Sequence, residues 1–283
     1  MAALKSNLHI RSNSLPSKSH PLIEECNDHL IGLGASLATS TSSSSSSIAH
    51  QLNGLVDLHL CVEKLLQLPL TQHAISQGRQ EKWVDELVDG SLRLLDMCSA
   101  AKDAILHTKE CARDIQSTMR RKVSLESEIR KYSASRKVVK KAIQKALKSV
   151  KGVESKNSAS PSTKDSDIAT LVSVLRKVEA VTLSAFESLL SFISGPKTHS
   201  KLGGWSLVSK LVQSKRFGCH EDVANEFAKV DDVLLSQETN KANQAMLELK
   251  NLEMCVQDYE EKLESLFRRL IKTRVSLLNI HNN

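Results

Sequence analysis

Ser14 is the residue best placed for covalent chemistry. Arg11 stands three positions before it and Pro16 two after it, in the run Arg11-Ser12-Asn13-Ser14-Leu15-Pro16. An upstream arginine suits a basophilic kinase, and phosphorylation would add a charge of about −1.5 to −2 and three strong acceptor oxygens. The second feature is electrostatic. From Arg120 to Lys151 lie twelve basic residues (Arg120, Arg121, Lys122, Arg130, Lys131, Arg136, Lys137, Lys140, Lys141, Lys145, Lys148 and Lys151) against only Glu126 and Glu128. The whole chain carries +7, so this segment holds all of the positive excess and the remainder is net acidic. Such a field attracts nucleic acid, anionic lipid or an acidic protein.

The spacing Arg-Ser-x-Ser-x-Pro is similar to the phosphopeptide motif bound by 14-3-3 proteins, where arginines grip the phosphate and the proline turns the peptide away. Arg11, Ser14 and Pro16 are therefore the expected partner motif. The expected patch for an anionic membrane or nucleic acid is Arg120, Arg121, Lys122, Arg136, Lys137, Lys140, Lys141, Lys145 and Lys148. Base readout would need polar side chains at groove edges, and single-strand binding would need aromatic platforms. The segment offers Tyr132 alone. A solvated helix face that docks on the acidic remainder accounts for the same charges equally well.

Other chemistry has little support. Cys26 and His29 have helical spacing, yet no second ligand pair stands at zinc-finger spacing. His59, His73 and His107 are expected at surface or half-buried helix positions. Gly32-Leu33-Gly34-Ala35-Ser36-Leu37 begins like a dinucleotide loop but lacks the third glycine and a preceding strand. No GxSxG, GxxxxGK[ST] or HExxH pattern occurs. The pairs Asp231 with Asp232 and Glu260 with Glu261 read as ordinary solvated charges. The expectation is a non-enzymatic protein with no cofactor, no metal and no small-molecule substrate.

Three heptad seams must position these residues. The longest comprises Ala242, Ala245, Leu249, Leu252, Val256, Tyr259, Leu263, Leu266, Leu270, Thr273, Leu277 and Ile280. A second comprises Ile168, Leu171, Leu175, Val178, Thr182, Ala185, Leu189 and Phe192; a third comprises Val84, Leu87, Leu94, Cys98, Ala101, Ile105, Ala112, Ile115 and Met119. A single amphipathic helix leaves its stripe in water, so these seams demand partner helices. Aromatics make up 3% of the chain, too few for a sandwich or barrel. The fold class is all-α, an elongated bundle of long amphipathic helices with a disordered N-terminal tail. Tyr259 and Thr273 are poor seam residues for a two-stranded coil, which favours packing within one chain and a monomer.

Residues 1–47 are expected to form a flexible Ser-rich tail, with a short helix over 22–31 and a linker over the Ser/Thr run 39–47. A helical half follows over 48–151, with Pro69 ending its first helix, Thr71 capping a short one and Gly78 ending it. Gly90 lies inside the next helix, at about 1 kcal/mol relative to Ala, and marks a kink or a close helix approach. Residues 152–167 read as a linker, and 168–283 as a second helical half packed with the first. Gly195 and Pro196 are a stop signal, and Trp205, Leu207, Val208, Leu211 and Val212 make a short amphipathic piece.

Six cysteines without a framework read as reduced core residues of an intracellular, cytoplasmic protein. No apolar run reaches membrane-spanning length. Lys5, Arg11 and Lys18 among serines before the first acid, Glu24, have a transit-peptide-like composition, leaving organelle import as the alternative.

Four blocks carry a family resemblance: His9 to Pro21; Lys82-Trp83-Val84-Asp85-Glu86-Leu87-Val88-Asp89-Gly90-Ser91-Leu92-Arg93-Leu94-Leu95-Asp96; Trp205-Ser206-Leu207-Val208-Ser209-Lys210-Leu211; and Leu266 to Ile280 with its Arg268, Arg269, Lys272 and Arg274. In order and spread over nearly the whole chain, they resemble the plant-specific DUF241 or BYPASS-like family of helical proteins. The resemblance implies a part in root and shoot development. It supplies no catalytic residue to carry over.

Overall fold

The computed structural model describes residues 20–39, 44–122, 124–151, 166–195, 225–235 and 242–282, and among these there are eight helices and no strand. They are α1 (Pro21–Thr39), α2 (Ser45–Leu66), α3 (Pro69–Gln77), α4 (Lys82–Arg120), α5 (Glu126–Lys151), α6 (Ser166–Ser194), α7 (Glu226–Leu235) and α8 (Ala242–Asn282). The all-α expectation holds. Arg11, Ser14, Pro16 and the Trp205 to Val212 piece lie outside the described residues.

Apolar spacing explains each long element. In α8 every seam residue from Ala245 to Ile280 is buried, and in α4 Val84 through Ile115 are buried with Met119 half-buried. At 41 residues, α8 is about 60 Å long. It packs on α2, α3, α4 and α7, while α6 packs on α1, α2, α3, α4, α5 and α7. Polar pairs fix the directions. Lys102 with Glu264 and Arg113 with Glu253 run α4 antiparallel to α8. Ser45 near Tyr259, and Glu63 near Arg269, run α2 parallel to α8. Glu86 with Arg176 and Arg93 with Glu179 run α4 parallel to α6. The α8 seam thus closes inside the chain.

Two boundaries differ from expectation. The first helix extends to Thr39 because Cys26, Leu30, Leu33 and Leu37 continue one face through Gly32 and Gly34; the first three are buried and Leu37 packs beside them. Gly54 on α2 admits this approach: a Cβ there would lie 2.7 Å from Leu33 Cδ2. The expected Ser/Thr linker also shortens. Ser44 caps α2, its hydroxyl accepting from Ser47 N–H at 3.2 Å, so Ser45 to Ser47 become helix. Thr71 is no cap; it is buried within α3, whose first residue is Pro69. At the end of α6, Gly195 adopts φ 74° and its N–H bonds Ser191 O and Phe192 O at 3.2 Å, the left-handed closure that glycine permits.

No helix among the described residues is long and apolar enough to cross a membrane.

Candidate functional site

The basic segment is not one helix. α4 stops at Arg120, where Arg121 N–H bonds Ser117 O at 3.2 Å and Lys122 N–H bonds Met119 O at 3.1 Å, and Lys122 takes φ 55°. This left-handed residue reverses the chain into α5. Arg120, Arg121 and Lys122 project at the turn, all exposed, while the remaining cations belong to α5.

Within α5 the cations divide by face. Lys137, Lys141, Lys145 and Lys148 are exposed, and none is paired with a described carboxylate. Arg130 and Lys131 are exposed but pair with Glu126 at 2.5 Å and Glu128 at 2.9 Å. Arg136 is a correction to the expected patch: it is 4% exposed. It lies at the inward register of Tyr132, Val139 and Ile143, all buried, so it faces α7 and not solvent.

There it meets Asp231, a second correction, since this carboxylate is no solvated charge. Arg136 Nε donates to Asp231 Oδ1 and Nη2 to Oδ2, both at 2.9 Å, and Nη2 also donates to Ile193 O at 3.0 Å. Tyr132 hydroxyl donates to Asp231 Oδ1 at 2.7 Å, and Lys140 Nζ to Oδ2 at 3.2 Å. Burial alone would raise the Asp231 carboxyl, but the bonds and charge of Arg136 outweigh it and hold the group below its usual range. Burial would lower the Arg136 guanidinium; the Asp231 bond and charge raise it instead. Burial and the Asp231 charge push the Tyr132 phenol up, so Tyr132 is an interior donor and no stacking platform.

This network also closes a helix end. The last carbonyls of α6 lack intrahelical partners; Ile193 O takes Arg136 and Phe192 O takes Asn225 Nδ2 at 2.7 Å. Asn225 Oδ1 meanwhile accepts from Ala228 N–H at 2.8 Å, capping α7. Phe227 stands edge-to-face with Phe192 at 5.8 Å, and Phe192 with Tyr259 at 6.2 Å. Tyr259 hydroxyl then donates to Ser45 O at 2.9 Å. Five helices are tied together at this end.

Between α4 and α8 the ion pairs keep one sense: Lys102 to Glu264 at 2.5 Å, Lys109 to Glu260, and Arg113 to Glu253 at 3.2 Å, each with the cation on α4. The first two pairs line an open groove of about 790 Å³ together with Gln257, Arg268 and Lys272. Glu260 is thus half-buried and bonded, contrary to the solvated expectation. The groove offers mutually neutralised charges and no converging acid, base and nucleophile. On α8, Arg269 pairs with Glu63 at 3.4 Å and Arg274 donates to Val88 O at 2.8 Å, whereas Arg268 and Lys272 keep side chains 72% and 68% exposed.

His59 is a third correction. It is 1% exposed where α2, α4, α6 and α8 meet. Thr182 hydroxyl donates to Val178 O at 2.7 Å, so its oxygen accepts from His59 Nε2–H at 3.0 Å. That leaves Nδ1 bare, buried and without a partner among the described residues. Burial, with the nearby Arg269 charge, lowers His59 to about 4. A cavity of about 40 Å³ adjoins it, lined also by Gly90, Glu179, Thr273 and Leu277.

Among the described residues no group of acids, histidines and cysteines is arranged to hold a metal. Cys26 sits against Cys61 across α1 and α2, both reduced, and burial pushes the Cys26 thiol up. Burial likewise takes the Cys98 thiol up to about 12. Such thiols are poor nucleophiles.

Arg136 carried a signal in the sequence. Tyr132, Arg136, Val139 and Ile143 stand at helical spacing, so an arginine at an apolar register position needed a buried anion. His59 occupies the same kind of position between Leu55 and Val62.

The family described as Protein BPS1 matches residues 51–280, from within α2 almost to the end of α8. No curated protein matches the chain, and no solved structure does.

Proposed function

The chain belongs to the Protein BPS1 family, and from that membership we propose that it serves plant growth and development as a non-enzymatic interaction or scaffold protein inside the cell. Family membership supports the developmental role. The scaffold reading rests on one observation. Leu247 and Met254, seven residues apart on α8, are 57% and 66% exposed, and Leu235 at the end of α7 is 50% exposed. Large apolar side chains at helical repeat spacing on an otherwise charged surface are what a partner helix covers. Apart from exposed Ala242 and half-buried Ile168 and Met119, the three long seams are buried within the chain, so partner binding falls to such exposed positions and to the N-terminal motif.

Arg11, Ser14 and Pro16 complete the reading as a phosphorylation-dependent contact, with a 14-3-3 protein as the partner its spacing suits. Two variants separate the contacts. Leu247→Ser/Met254→Ser should abolish partners that survive a high-salt wash while leaving the melting temperature unchanged. Ser14→Ala should abolish only the phosphate-dependent partner. Full retention of both sets of partners by both variants would sink the scaffold reading.

A further inference from the structure

We propose that the outward face of α5 is a docking surface for an anionic lipid bilayer, with Lys137, Lys141, Lys145 and Lys148 as its contacting charges. The inference stands apart from the scaffold reading, since it uses a different helix and a different kind of partner.

Geometry carries it. A helix turns about 100° and rises about 1.5 Å per residue, so these four lysines fall within an arc of about 80° and a length of about 17 Å. Opposite them lies the buried stripe of Tyr132, Val139, Ile143 and Val150. The helix cannot roll, because Arg136 on its inner side is fixed to Asp231 and Ile193 O. Other cations of α5 are engaged: Arg130, in line with the stripe one heptad before Lys137, with Glu126, Lys131 with Glu128, and Lys140 with Asp231. The four lysines are exposed and have no described carboxylate. Of the exposed positions among them, Ala134 and Ala142 are small, and Val138 and Gln144 are shorter than lysine, so the ammonium groups reach a flat surface first.

The same charges attract nucleic acid, but the residue types favour lipid. Lysine is a compact point charge, whereas bidentate phosphate and base recognition uses the arginine fork. The one arginine in line with the four lysines, Arg130, is paired with Glu126, and the one aromatic of α5, Tyr132, is buried. Its apolar side is spent on the bundle, so the contact is a surface one without insertion. A juxtaposed lysine strengthens adhesion to an anionic leaflet about fivefold.

Vesicle sedimentation of the full chain tests this, with phosphatidylcholine vesicles with and without phosphatidylserine. The expected result is binding only where phosphatidylserine is present, falling steeply with salt. Lys141→Ala/Lys145→Ala should weaken it about thirtyfold. Lys177→Ala/Lys250→Ala, the same charge change on exposed positions of α6 and α8, should leave it unaltered. Equal loss in both double variants would reduce the effect to net charge and overturn the proposal. So would no binding, equal binding to phosphatidylcholine alone, or tighter binding to a nucleic-acid duplex at matched phosphate concentration.

Discussion

The Arg136 guanidinium holds both oxygens of Asp231 at 2.9 Å, across 95 residues of sequence. At 5% and 15% side-chain exposure, the pair is shielded enough that losing one partner strands the other. Arg136→Met should therefore cost about 3 to 5 kcal/mol, and Asp231→Leu a similar amount, whereas the double variant should recover most of it. Urea denaturation of the three variants checks this. Additive losses would show that the two residues act independently.

Asp231 and His59 both link folding to pH, in separate windows. Asp231 has a lowered folded pKa, so its contribution is whole above the unfolded carboxyl value and is lost as pH falls through the folded one. His59, lowered from 6.5 to about 4, stays neutral in the fold while the unfolded chain takes up a proton. Its contribution is whole above 6.5 and drains away between there and about 4, reaching on the order of 3 kcal/mol. His59→Leu should flatten stability across that window. An NMR titration placing His59 near its ordinary value would contradict the buried neutral tautomer.

Gly90→Ala should destabilise, against the helix-propensity gain of about 1 kcal/mol. A Cβ there would fall 2.5 Å from Glu179 Oε2 and 2.7 Å from Cδ. Glu179 cannot simply swing aside, because Arg93 holds it at 2.6 Å. The net loss expected is about 1 to 3 kcal/mol, recovered when Glu179→Ala accompanies it. Thermal melts decide, and a raised melting temperature for Gly90→Ala alone would refute the close approach.

The seam from Ala245 to Ile280 was legible because burial of an amphipathic helix follows from local spacing. Sequence spacing places the end of the first helix at residue 31, whereas Leu33 and Leu37 carry its apolar face onward and packing on α2 extends it to Thr39. Asp231 looked solvated because its partners, Tyr132, Arg136 and Lys140, lie on another helix, and no spacing rule joins two helices. Lysines 137, 141, 145 and 148 could be named from composition, but their separation from Arg136 required knowing which side of α5 meets the bundle.

The bond from Asn225 Nδ2 to Phe192 O brings the end of α6 and the start of α7 to one point. One side chain thereby serves two helix ends, donating to the last turn of α6 and accepting from the first turn of α7, so a single substitution at Asn225 would uncover backbone groups of both helices at once.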